Sequence, residues 1–80
     1  MAIKPRKILF RELRCEIVRH GLYAKDLAYM IHISAAEMSK RLNGKRPWSM
    51  REIYAVIEAL ELDPQKITVY WPVEDVRMCG

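Results

Sequence analysis

Apolar residues recur along this chain at three- and four-residue intervals, interrupted at short gaps by residues that stop helices. Leu9, Leu13 and Ile17 fall at i, i+4 and i+8 and make one stripe. Arg6, Lys7, Arg11, Arg14 and Arg19 take up much of the remaining surface. This spacing predicts a first helix over residues 7–20, ended by Gly21, since glycine adopts the left-handed conformation at a helix C-terminus without strain. A second helix is expected over residues 24–31, burying Leu27, Ala28 and Ile31, with His32-Ile33 as a turn and Ile33 pointing inward. Ser34-Ala35-Ala36-Glu37 reads as a capping box, the Ser34 hydroxyl accepting from the Glu37 amide while the Glu37 carboxylate reaches back. The third helix follows, with Met38 and Leu42 on its inner edge. Ser49-Met50-Arg51-Glu52 is a second box and opens a fourth helix whose core face is Met50, Ile53, Ile57 and Leu60. Asp63-Pro64 pairs an N-cap with proline at the first helical position, so a short fifth helix runs through Ile67 toward Tyr70 and is stopped by Pro72. Residues 68–71 also fit a short strand. Residues 72–80 are expected to form a loose tail, with Val73 and Val76 as the side chains able to pack back. The reading is one all-α domain, a compact five-helix bundle with its core over residues 7–71.

Composition sharpens this picture at a few points. Hydrophobic residues make up 51% of the 80 and only three are glycine, which suits a packed helical domain and not a disordered tail. No run approaches the ~18 consecutive apolar residues of a membrane span. The opening MAIKPRKILF has an apolar run too short for a signal peptide and no small-residue cleavage site after it. Cys15 and Cys79 are far apart, lack metal-spaced companions and read as free thiols, so a cytoplasmic protein is expected. The net charge of +4 conceals an asymmetry. Residues 1–51 carry twelve Lys/Arg against four Asp/Glu, a net +8, while residues 52–80 carry two against six, a net −4. Such a sided field favours one orientation toward a polyanion, although an ordinary solvated surface gives the same totals.

Candidate chemistry concentrates in residues 22–45, LYAKDLAYMIHISAAEMSKRLNGK, two short amphipathic helices joined by a tight turn and followed by an Asn-Gly-Lys stop. That is the pattern of a helix-turn-helix, whose second helix is presented to the major groove of DNA. Ser39 and Lys40 lie opposite Met38 and Leu42 and so project outward. In a groove-docked helix they are the main candidates for base contacts, Lys40 donating to guanine O6 and N7. Ala35 and Ala36 are either good helix formers only or small groove-facing residues that touch thymine methyl groups. Arg41 either packs its stem and extends its head to a phosphate, or is simply solvated. Pro47 and Trp48 read as packing residues, and His20 and His32 as surface or turn residues. Tyr54 lies off the core face of the fourth helix and, with Tyr70 and Trp71, either seals the core or forms a dimer patch. No nucleophile–base order, phosphate loop or paired carboxylates suggest catalysis, and neither a cofactor nor a metal site is indicated.

With these elements placed, the chain resembles the Cro/repressor-type helix-turn-helix family, the lambda-repressor-like DNA-binding domain of phage repressors and many bacterial regulators. The resemblance covers residues 7–71 and is carried by Gly21-Leu22, Leu27-Ala28, Ile33-Ser34, Ser39-Lys-Arg-Leu-Asn-Gly-Lys45 and Ala59-Leu60-Glu-Leu62. The SKRLNGK run looks especially like small prophage regulators of Gram-positive bacteria. Three departures stand out. Tyr23 occupies the usual Ser/Thr cap of the second helix, Ile17 and Leu42 replace a buried Arg–Glu pair, and Ala35-Ala36 replace polar groove-facing residues. The resemblance implies a sequence-specific double-stranded DNA-binding transcriptional regulator of Cro or repressor type. One such unit reads only a few base pairs, so a homodimer on two half-sites is expected, and the absence of a second domain argues against a small-molecule effector. The resemblance further implies that Ser34, Asn43, Lys45, Arg46 and Ser49 meet the sugar-phosphate backbone. The expected dimer face is the end of the fourth helix with residues 63–71, chosen for exposed rings in the acidic half. The competing expectation is a protein-interaction module, an antirepressor, antitoxin or modulator on the same fold.

Overall fold

The computed structural model describes residues 8–77, which fold into a small all-helical bundle. Its elements are α1 (Arg11–Arg19), α2 (Ala24–Met30), α3 (Ala35–Leu42), α4 (Met50–Ala59), a 3-10 turn (Pro64–Lys66), α5 (Ile67–Tyr70) and α6 (Val73–Arg77). Among the described residues there is no strand, and residues 68–71 are helical up to Tyr70.

The first helix starts later than its apolar stripe suggests. Phe10 has φ 54°, a left-handed conformation that a helix interior does not accommodate, so α1 begins only at Arg11. Leu9 stays buried without being helical, and the fully buried Phe10 ring becomes a core residue. Arg6 and Lys7 lie outside the described residues. The C-terminus of α1 follows expectation. Gly21 takes φ 71°, its amide donates to Val18 O at 2.8 Å, and the Leu22 amide donates to Ile17 O at 3.0 Å.

The turn from α2 to α3 is built by the same device without glycine. His32 sits at φ 63° and the Ile33 amide donates to Ala28 O at 2.9 Å, reversing the chain tightly. Ile31 and Ile33 are half-buried and pack against the core. At the start of α2 the Tyr23 ring is exposed, and what holds the helix end is the Asp26 carboxylate, which accepts the Tyr23 amide at 2.8 Å. The Ser49 box is complete, the Glu52 amide donating to Ser49 Oγ at 3.1 Å and the Ser49 amide to Glu52 Oε1 at 2.9 Å. Asp63 caps the 3-10 turn by accepting from the Gln65 amide.

Leu13 and Ile17 of α1, Leu27 and Ala28 of α2, Met38 and Leu42 of α3, Ile53, Val56 and Ile57 of α4, and Leu60 just after α4 meet in one core. Met50, expected in it, is 53% exposed, and Val56 takes the place, because the inward arc of α4 centres one residue further round the helix. Trp48 packs edge-to-face between Phe10 and Trp71, with ring centroids 6.0 and 5.5 Å away. The chain after Pro72 departs most from expectation. The described part of the expected loose tail is the helix α6, and neither Val73 nor Val76 holds it down, since both are exposed. Asp75 is the buried residue, its Oδ2 accepting the Phe10 amide at 2.9 Å and so joining the two ends of the described chain. Burying Trp71 and half-burying Tyr70 also removes the rings on which the expected dimer face depended.

Candidate nucleic-acid interface

Helix α3 is positioned by its inner edge. Met38 and Leu42 are buried, so geometry turns Ala35, Ala36, Ser39, Lys40 and Asn43 to one exposed stripe. The four base-contact candidates therefore share a surface, and Asn43 continues it at the C-terminal end. Asn43 is oriented from two sides, its Nδ2 donating to Ser39 Oγ at 3.3 Å and its Oδ1 accepting from Arg14 Nη2 at 3.1 Å. Arg14 also donates to Leu42 O at 2.7 Å and to Leu9 O at 2.8 Å. An α1 cation thus covers the carbonyl end of α3, where the helix dipole is negative. From the sequence, Arg14 is only one of the basic residues flanking the apolar stripe of the first helix. Its role depends on the packing of α1 against α3, which local pattern does not reveal.

Ser34 caps α3 through Oγ, which accepts the Glu37 amide at 3.1 Å. The reciprocal half of the expected box is absent. The Glu37 carboxylate turns away from the Ser34 amide and gathers three cations, with Arg41 Nη1 at 2.8 Å, Arg46 Nε at 2.9 Å and Lys40 Nζ at 3.6 Å. Charge attraction to two guanidinium groups outweighs one exposed amide. The hydrogen bond from Arg41, with the charges of Arg46 and Lys40 against some opposing burial, holds the Glu37 carboxyl below its ordinary range.

Arg41 is neither solvated nor directed outward. Its side chain is only 11% exposed, and Nη2 reaches Glu52 Oε2 at 2.7 Å while Nη1 is held by Glu37. The guanidinium thereby ties α3 to the start of α4 and is not free for a phosphate. Its pKa is raised, first by the hydrogen bond to Glu52, against desolvation, and further by Glu37. Burial pushes the Glu52 carboxyl up, but hydrogen bonds from Arg41 and Ser49 together with the Arg41 charge more than offset this and leave it below its usual value. The chain thus places an ion pair at the α3–α4 junction, while Ile17 and Leu42 are buried at the α1–α3 junction and line one small cavity there.

The remaining phosphate candidates sort by freedom. Lys45 is exposed, with its backbone amide closing the α3 C-terminus on Lys40 O at 2.8 Å. Arg46 is exposed but engaged by Glu37, and the Ser49 hydroxyl is used as a cap. Trp48 is buried, while His20 and His32 are exposed. Cys15 is a half-buried free thiol, and Cys79 lies outside the described residues. Among the described residues no group of three His, Cys, Asp or Glu could hold a metal ion, and no helix is long and apolar enough to cross a membrane.

No curated protein and no solved structure matches this chain. Residues 8–74 match the family described as "Protein of unknown function (DUF739)". That span takes in α1 through α5 and the start of α6, so the chain belongs to the DUF739 family.

Proposed function

We propose that this protein is a sequence-specific double-stranded DNA-binding transcriptional regulator, a Cro- or repressor-like protein of prophage type that acts at an operator as a homodimer in the cytoplasm. The observation that carries this reading is the exposed stripe of Ala35, Ala36, Ser39, Lys40 and Asn43 on a helix set by a tight turn against its predecessor. Small residues at the start of the stripe let a helix sink into the major groove, and Ser39 and Lys40 bring donors to base edges. Lys45 and Arg46 follow directly and suit phosphate contacts, which fix register without reading sequence. No catalytic role, cofactor or small-molecule effector forms part of the proposal.

A second reading, a protein-interaction module of antirepressor or antitoxin type, draws support from Glu37, which engages Lys40 and Arg46 and weakens the positive field of the stripe. One experiment separates the two. The protein is titrated against fragments of the DNA upstream of its own gene at several salt concentrations. A DNA regulator loses affinity linearly in log salt, with a slope of about −0.9 per phosphate neutralised, and prefers one fragment strongly. Absence of salt-dependent binding to every fragment would rule out the DNA reading.

A further inference from the structure

We propose that the outward face of α4 is a self-association surface on which a second copy of this chain docks antiparallel across a two-fold axis. The inference rests on the homodimer of the reading above but is independent of DNA binding. Arg51, Tyr54, Ala55 and Glu58 fall at i, i+3, i+4 and i+7, opposite the buried Ile53, Val56, Ile57 and Leu60. Tyr54 is 57% exposed at the middle of this stripe. Arg51 and Glu58 close its two ends, and neither makes an ion pair with any described residue.

The order of these charges points to the occupant. A two-fold axis passing between residues 54 and 55 sets Arg51 opposite the second copy's Glu58, and the reverse, with the two Tyr54 rings side by side at the centre. An isologous interface requires this self-complementarity, and a parallel pairing in register would instead oppose like charges. The same two residues are set against the dipole of their own helix, a cation in the first turn and an anion in the last. The isolated helix disfavours that order, whereas an antiparallel partner rewards it. Apolar surface adjoins the stripe as well. Arg51, Ala55 and Glu58 line an open groove of about 890 Å³ with Met30 and Tyr29, the latter 84% exposed.

The test is sedimentation equilibrium of the full chain and of the variants Arg51→Glu, Glu58→Arg and the double exchange, over a wide concentration range. Each single exchange corrects a charge that opposes the helix dipole, so α4 should not be weakened, and circular dichroism melting checks this. The expected result is a reversible wild-type dimer, at least a tenfold loss of association in each single variant, and recovery in the double variant. Dimers that persist unchanged in both single variants would overturn this surface and leave the homodimer intact elsewhere. A wild-type chain that remains monomeric up to millimolar concentration would overturn the surface and the free homodimer together, while the DNA titration would still decide DNA binding.

Discussion

At the residue scale, Glu37 decides how much of the positive charge near α3 faces outward. Its carboxylate engages Lys40, Arg46 and Arg41, so under the proposed DNA-binding reading a phosphate would have to compete with it for the first two. Glu37→Gln removes that competition, and Arg41 keeps Glu52. Under the same reading, DNA affinity should rise for all sequences by about 2–5-fold, the scale of one exposed ion pair. Unchanged or weaker binding in a fluorescence-anisotropy titration would contradict the assignment. Lys45 and Lys40 should behave differently from each other. Lys45→Ala is expected to weaken every DNA alike and to reduce the salt slope by about one unit. Lys40→Ala should relax discrimination at one operator position by about 1–3 kcal/mol, read by competition among operator variants. Equal losses on specific and random DNA would make Lys40 a phosphate contact.

At the element scale, two contacts hold the bundle where local pattern does not. Ile17 and Leu42 are both buried where α1 meets the end of α3. Truncating either to Ala should cost about 2–4 kcal/mol in chemical denaturation, and an unchanged midpoint would show that this junction is not packed as described. The Asp75 carboxylate accepts the Phe10 amide inside the fold, joining α6 to the residue before α1. Asp75→Ala leaves that donor buried and should cost about 1–3 kcal/mol, with earlier hydrogen exchange at the Phe10 amide. A loose tail would give no such effect. The capping signals at Ser49 and Asp63 were legible because a cap is local, three residues or fewer from serine or aspartate to the amide it accepts. The Ser34 box was legible only in its serine half, since Arg46, nine residues from Glu37, competes for the carboxylate.

At the scale of the whole molecule, the Arg41–Glu52 pair couples α3 to α4 and makes stability depend on pH in a defined direction. Glu37 and Glu52 both have folded-state values below the ordinary 4.5. Their contribution is therefore present above the unfolded carboxyl value and is lost as pH falls through the lower folded ones. The melting temperature should hold steady from neutral pH to about 5 and then drop, and Glu52→Gln should flatten the drop. A melting temperature independent of pH below 4.5 would show that these pairs do not contribute. The helical class, the order of the first four helices, the inward faces of α1 to α3 and the outward stripe of α3 were determined by the sequence itself. Each depends on a repeat of three or four residues or on a cap spanning one turn, and such relations are complete within a short segment. The tertiary structure alone decided the left-handed Phe10, the helix after Pro72, the burial of Trp71, and the partners of Arg14, Arg41 and Glu37. In each of these a side chain or amide meets a group brought near by the packing of another element or the reversal of a loop. A charged residue on an amphipathic helix has no preferred partner until that packing supplies one.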